Sequence, residues 1–203
     1  MRSVLLLDGN NTYYRANAVS DLHDSAGNRV SGVYGMIRII RALIERFKPM
    51  DFVVVWDGGR SPARRLLYPE YKKKVIKDVE QEAAEQRRLE FVNQTTELFE
   101  HLPLFGLRQI KLPKTEADDV IAMLSIELSN VGLQPIVVST DNDYLQLLQI
   151  DAPILVYSPV KDVLYDRGVF VEQYGFQPDR MLEYKSLIGD GSDNIGGING
   201  IGD

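Results

Sequence analysis

Val4-Leu5-Leu6-Leu7-Asp8-Gly9 is an all-apolar run closed by an acid and a glycine. Four consecutive apolar residues suit a strand buried on both faces, as in a parallel sheet, rather than a strand with one wet face. The pattern recurs. Phe52-Val53-Val54-Val55-Trp56 leads into Asp57-Gly58-Gly59, and Pro135-Ile136-Val137-Val138-Ser139 leads into Thr140-Asp141-Asn142-Asp143. Helical spacing lies between these runs, in Val33, Met36, Ile37, Ile40 and Leu43-Ile44, which Pro49 terminates. Strands alternating with helices predict an α/β fold with a mostly parallel central sheet. In such sheets the carboxyl edge carries the chemistry, and that is where Asp8, Asp57, Asp141 and Asp143 fall.

The densest acidic stretch is Glu116-Ala117-Asp118-Asp119, followed by Val120, Ile121, Met123 and Leu124. This predicts a helix with three carboxylates in its first turn. Thr115 with Asp118 three residues later is also a capping-box pattern, and acids suit a helix N-terminus, so this stretch alone has a purely structural explanation. A second pair, Asp190 and Asp193, lies in the Gly-rich loop Gly189–Asn194 after a helix opened by Pro178; the six-position acidic pattern of an EF-hand is absent. Carboxylates gathered in one place repel and protonate unless a cation compensates them. A hard divalent metal fits that role.

The chain has 203 residues and 44% hydrophobic content, enough for a sizeable core. No apolar run is long enough to span a membrane, and Met1-Arg2-Ser3 enters a strand without a signal peptide's layout, so a soluble cytoplasmic protein is expected. With no cysteine, disulfides, thiolate zinc sites and Cys nucleophiles are excluded. His23 and His101, in a loop and at a helix end, give Ser-His-Asp chemistry little to stand on.

A net charge of −6 argues against a nucleic-acid partner until its distribution is considered. Residues 60–77 carry Arg60, Arg64, Arg65, Lys72, Lys73, Lys74 and Lys77 against Glu70 alone. Pro62 and Pro69 interrupt this segment, and its bases enclose Tyr68 and Tyr71, a mixture that suits phosphate contact and base stacking on a single strand. It is expected to be mobile until substrate arrives. The closing Gly196-Gly197-Ile198-Asn199-Gly200-Ile201-Gly202 could turn backbone amides toward an anion.

Five blocks taken together resemble the flap-endonuclease or 5′-nuclease family, found as bacteriophage 5′→3′ exonucleases and as the N-terminal nuclease domain of bacterial DNA polymerase I. They are Asp8 to Arg15 (Asp-Gly-Asn-Asn-Thr-Tyr-Tyr-Arg), Trp56-Asp57, Pro69 to Lys72, Glu116 to Asp119, and Ser139 to Asp143 followed by Gly189 to Ile195. The resemblance implies a single PIN-like 5′-nuclease domain over 1–203, with a basic helical arch at 60–80 that admits a free 5′ end. It implies two Mg²⁺ ions, replaceable by Mn²⁺, held by Asp8, Asp57, Glu116, Asp118, Asp119, Asp141, Asp143, Asp190 and Asp193. Asp118 and Asp141 would then be essential to catalysis. Glu116, Asp118 and Asp119, assisted by Asp8 and Asp57, are expected at the metal nearer the attacking water, and the remaining four at the other.

By position, Tyr71 matches a stacking tyrosine, Lys72 a catalytic lysine and Arg15 an arginine near the scissile phosphate. Arg64, Arg65, Lys73 and Lys74 are expected to contact DNA. Gly197, Gly200 and Gly202 match the start, over 189–203, of a helix-hairpin duplex clamp that binds K⁺ and is cut short at Asp203. Some family members carry an arginine where this chain has Val75, with Lys73 and Lys74 beside it. The implied substrate is DNA with 5′ flaps, nicks or free 5′ ends, or RNA/DNA hybrids, cut by a monomer in replication or repair, as in primer removal. Two alternatives remain open on the residues, a PIN-type ribonuclease and a nucleic-acid-binding protein whose acids are structural caps.

Overall fold

The computed structural model describes residues 1–73 and 81–201. A six-stranded sheet organises it: β1 (Ser3–Asp8), β2 (Asp51–Trp56), β3 (Arg108–Lys111), β4 (Gln134–Val138), β5 (Leu155–Ser158) and β6 (Val163–Tyr165), in the order β3-β2-β1-β4-β5-β6. The first five are parallel and β6 returns antiparallel to β5, so the expected mostly parallel sheet is present.

Alternation along each strand divides the core into two layers. Leu5, Leu7, Phe52, Val54, Trp56, Ile136 and Val138 face α1 (Gly9–Val19), α2 (Ser31–Phe47) and the helix Gln81–His101. Val4, Leu6, Val53, Val55 and Val137 face the helix Ala117–Asn130, the 3-10 helix Asn142–Gln149 and the helices Arg167–Tyr174 and Met181–Ile188. In chain order the remaining helices are α3 (Pro62–Leu67), α4 (Gln81–His101), α5 (Ala117–Asn130), α6 (Arg167–Tyr174) and α7 (Met181–Ile188). Burial of these strands explains their unbroken apolar runs: Leu5, Leu6, Leu7, Val54 and Val55 have no exposed surface.

Strand order reverses direction at β1. The chain walks outward through β2 and β3, then crosses back to β4 on the other side. In register, Leu7 lies opposite Val54 and Val138. Asp8, Asp57 and the Ser139–Asp141 turn therefore leave the sheet at one edge, at the crevice between β1 and β4 where open α/β sheets bind ligands.

Several elements differ from the sequence reading. Pro62 starts α3 instead of interrupting the chain: Ser61 caps it, its hydroxyl accepting from the Arg64 N–H, and proline is favoured at a first helical position. Helix α6, capped by Asp166, has no counterpart in the sequence analysis. Tyr144–Gln149 lies in a 3-10 helix. The glycine-rich terminus forms β7 (Gly189–Asp190) paired antiparallel with β8 (Ile195–Gly196). There the Ile198 and Ile201 amides donate to Leu187 and Ile198 carbonyls, so these two are occupied within the turn. Gly202, Lys74, Val75 and Lys77 lie outside the described residues. No helix among the described residues is long and apolar enough to cross a membrane.

One glycine joins two loops of this edge. The Gly58 amide donates to Thr115 O at 2.9 Å and Gly58 O accepts from Lys114 N at 3.0 Å. A Cβ on Gly58 would stand 1.7 Å from the Leu112 carbonyl oxygen, a backbone atom that cannot rotate away. Gly58→Ala is predicted to cost about 1–3 kcal/mol and to lower Tm by about 3–10 °C in a thermal-shift measurement. An unchanged Tm would show that the two loops are not held together.

Candidate active site

Each acid at the sheet edge is placed by a local cap. Asp8 closes β1 and begins α1, one carboxylate oxygen accepting from the Asn11 N–H at 3.0 Å. Its other oxygen accepts from the Ser139 hydroxyl at 3.2 Å and the Tyr144 hydroxyl at 3.1 Å. Asp57 reaches across to α5 and accepts the Ala117 N–H at 2.8 Å. Asp141 caps the 3-10 helix by accepting from the Asp143 N–H at 2.9 Å. The capping box suggested by Thr115 and Asp118 does not form: the Thr115 hydroxyl donates to Pro113 O, and Glu116 occupies the N-cap without bonding its own helix. The cap of α5 comes instead from Asp57 at the end of β2, which leaves the side chains of Glu116 and Asp119 free of the helix, while Asp118 accepts the Asp119 N–H at 2.7 Å.

Two cations reach these carboxylates and a third, from α7, reaches Asp143 and Asp190. Glu116 is 4% exposed yet accepts from the Ser61 amide at 3.1 Å, the Tyr71 hydroxyl at 2.9 Å and Lys72 Nζ at 2.6 Å. Arg64 fans over Glu116 at 3.2 Å, Asp118 at 3.6 Å and Asp119 at 2.7 Å. Lys72 also lies 3.7 Å from Asp193. Lys185 of α7 bridges Asp143 and Asp190, 2.7 Å from the latter. Among the described residues no three carboxylates converge closely enough to enclose one metal ion as these side chains stand. The donors are all carboxylate oxygens, from buried Asp8 and Glu116 to exposed Asp57, Asp119 and Asp141, which matches hard cations such as Mg²⁺ or Mn²⁺, and such an ion would have to displace the lysines.

The electrostatics tie the acids into one group. Burial, with the Asp57 charge adding, raises Asp8 to about 6 despite its hydrogen bonds. Burial also raises Asp118, with Arg64 opposing and Asp119 adding, and raises Asp141, where Asp143 and Asp190 add. Asp193 is raised by burial, against Lys72 and with Asp190, Asp143 and Glu116. Glu116 and Asp190 go the other way. Burial opposes their ionisation, but hydrogen bonds from Lys72 and from Lys185, respectively, hold each at about 2.

The expected site residues thus separate into three sets. The nine acids share one electrostatic neighbourhood, entered from the basic segment by Arg64, Tyr71 and Lys72. Tyr71 is 7% exposed, with Lys72 at 5.2 Å and Arg64 at 6.0 Å from its ring centroid. Arg15 and Arg65 are exposed and make no ion pair among the described residues, and Lys73 pairs with Glu70 at 3.0 Å. Gly197 and Gly200 sit in the terminal turn.

Three contributors were not singled out as site residues in the sequence, although Tyr14 and Asn194 lie within the blocks that carry the resemblance. Lys185 reads as the polar side of an amphipathic helix. Exposed Tyr14 stacks on Phe91 at 5.2 Å, and the Asp57 charge adds to the burial that raises its phenol. Asn194 ties the acidic loop to the basic segment: its amide donates to Glu70 O at 2.8 Å and Lys73 O at 2.7 Å, while its carbonyl accepts from the Tyr68 hydroxyl at 2.9 Å. Lys72 itself has a left-handed backbone, φ 51°, a conformation uncommon for a long side chain and frequent at working sites.

Comparison with known proteins gives the family and the fold. The family profile described as 5′-3′ exonuclease, N-terminal resolvase-like domain, matches residues 3–175, and the chain belongs to that family. It is 32% identical over 203 residues to a 5′-3′ exonuclease of Aquifex aeolicus, covering 100% of this chain and 66% of that protein. It is 32% identical over 207 residues to DNA polymerase I of Caldicellulosiruptor bescii, covering 98% of this chain and 23% of the polymerase. The fold is shared with a bacteriophage T5 D15 flap endonuclease solved with DNA and metal ions, at TM-score 0.75 and 22% identity, over 99% of this chain and 71% of that one.

The Asp8 environment makes a pH prediction. Its folded pKa, about 6, exceeds its ordinary 3.8, so the folded state holds the extra proton and loses stability as pH rises from about 4 to 6. In EDTA, Asp8→Asn should gain on the wild type by about 2–3 kcal/mol between pH 4 and pH 7, read from Tm across that range. A constant Tm difference would contradict the buried, strained carboxylate.

Proposed function

We propose that this chain is the nuclease portion of a metal-dependent 5′→3′ exonuclease and 5′-flap endonuclease acting on DNA phosphodiesters. The observation that carries this reading is the gathering of Asp8, Asp57, Glu116, Asp118, Asp119, Asp141 and Asp143 at one sheet edge, with Asp190 and Asp193 of the β7–β8 hairpin joined to them through Lys185 and Lys72. Family membership supports it, as does the fold shared with a flap endonuclease that binds DNA and metal ions.

Glu116, Asp118, Asp119, Asp8 and Asp57 would hold one Mg²⁺ or Mn²⁺, and Asp141, Asp143, Asp190 and Asp193 the other, partly through water. Two such ions supply an activated water and neutralise charge on the leaving oxygen. The chain's own residues do the rest. Lys72, released from Glu116, steadies the phosphate, and Arg15 reaches it from α1. Tyr71, once its hydroxyl leaves Glu116, offers its ring to the terminal base, a stack worth about 1–3 kcal/mol. Arg65 and Lys73 hold the backbone of the entering strand, and the turn at Gly197 and Gly200 begins a duplex clamp with a K⁺ site. The substrates are 5′ flaps, nicks, free 5′ ends and RNA/DNA hybrids, met in replication or repair such as primer removal, by a monomer in the cytoplasm.

Incubation with a labelled 5′-flap duplex, nicked DNA and an RNA hairpin tests this. Mg²⁺ should permit release of mono- and short oligonucleotides from the DNA substrates, and EDTA should abolish it. Asp118→Asn and Asp141→Asn should each reduce the rate by at least about 100-fold. Full activity in either variant, or cutting confined to the RNA hairpin, would overturn the proposal.

A further inference from the structure

Asp143 borders two clefts. One, of about 630 Å³, runs toward the basic segment past Arg64, Tyr68 and Tyr71. The other, of about 890 Å³, leads away between the β5–β6 turn, α6 and α7, past Lys161, Gln173, Tyr174 and Tyr184. Asp141, Asp143, Lys185 and Asp190 line its inner end, at the acids; its outer walls have no part in the proposed chemistry, yet they have a definite character. Fully buried Phe170 stacks on Tyr174 at 4.6 Å, Tyr174 meets Phe176 edge-on at 5.9 Å, and Phe176 lies 5.3 Å from Tyr184. Phe170 fills the core, while Tyr174, Phe176 and Tyr184 are half-buried and reach the cleft. At the rim, Lys161 lies 5.9 Å and 6.0 Å from the Tyr165 and Tyr174 ring centroids. Among the described residues it makes no ion pair, although acids outnumber bases in this chain by 29 to 23. The cleft's other lysine, Lys185, is already bound to carboxylates.

Lys161 is hydrogen-bonded to the Tyr174 phenol but held by no carboxylate among the described residues, and an aromatic wall with such an ammonium beside it is what a nucleic-acid strand requires, π faces for bases and a cation for phosphate. Asp143 lines both clefts, so a strand whose scissile phosphate sits at the acids has room to continue in each direction. We propose that the cleft of Lys161, Gln173, Tyr174 and Tyr184 is a second nucleotide-binding track, holding the strand on the side of the scissile phosphate opposite the basic segment. Lys161 contacts a backbone phosphate, Gln173 offers an amide to the same backbone, and Tyr174 and Tyr184 support a base. The assignment rests on the nuclease reading and extends it to the path of the substrate.

The test is fluorescence anisotropy of a 3′-labelled 5′-flap duplex in Ca²⁺, over a range of salt, with wild type, Lys161→Ala, Lys161→Glu and the control Arg41→Ala. Arg41 is exposed on α2, on the other face of the sheet, and Lys161 is exposed, so all variants should fold, as far-UV circular dichroism checks. Loss of Lys161 should weaken binding about 3–10-fold and reduce the slope of log K against log salt by roughly 0.7–0.9, more in the Glu variant. In Mg²⁺, KM should rise with kcat little changed, and Arg41→Ala should match wild type. Wild-type binding with Lys161 variants that match it, or that change no more than Arg41→Ala, overturns this track alone. A wild type that binds none of the DNA overturns it together with the nuclease reading.

Discussion

Mutual repulsion among carboxylates is the constraint on which the rest of this structure depends. Parallel strands deliver their loops to one edge, and here burial raises the aspartates those loops carry, with neighbouring charges adding: Asp57 on Asp8, Asp119 on Asp118, Asp143 and Asp190 on Asp141. Such a group persists only if cations compensate it or protons bind. The chain contributes its own cations, Arg64 and Lys72 from the basic segment and Lys185 from α7, placed at carboxylate oxygens of Glu116, Asp118, Asp119, Asp143, Asp190 and Asp193. A side-chain ammonium and a divalent metal compete for the same oxygens. This is why the basic segment, whose sequence is so different from the acids', is held against them.

The acids also do structural work, and the two roles are arranged so that one does not exhaust the other. Asp8, Asp57 and Asp141 each satisfy a helix N-terminus with one oxygen, and the second oxygen of Asp8 is held by the Ser139 and Tyr144 hydroxyls. A helix N-terminus favours negative charge, so each cap partly offsets the local repulsion. The hydrogen bonds between Gly58 and the 114–115 loop bring Asp57 to α5, and that in turn leaves Glu116 at liberty to meet Lys72 and Tyr71. A strand-end carboxylate capping a different helix is thus the link between fold and site.

Much of this was legible in the sequence because its signals are local. Unbroken apolar runs at 4–7, 52–56 and 135–139, each followed by an acid, specify buried parallel strands and where their ends go. What was not legible depends on contacts distant in sequence. The Thr115–Asp118 pattern has the spacing of a capping box, but Asp57, 60 residues away, takes the Ala117 N–H. Lys185 reads as an ordinary polar helical residue because Asp143 lies 42 positions earlier. Helix α6 is short and weakly amphipathic, and its start at Asp166 directly follows a strand, so periodicity gave no purchase. The basic segment's composition suggests a strand-binding arm, and its contacts to the acids through Ser61, Arg64 and Tyr71 and to Asn194 join residues far apart in sequence.

The central claim is that these carboxylates form one cation-dependent cluster. Calorimetric titration of the wild-type chain with Mn²⁺ at pH 7.5, with Tm followed in parallel, examines it most directly. The account predicts about two ions bound per chain and a Tm that rises with ion concentration. A chain that takes up no Mn²⁺ and keeps the same Tm throughout would contradict it.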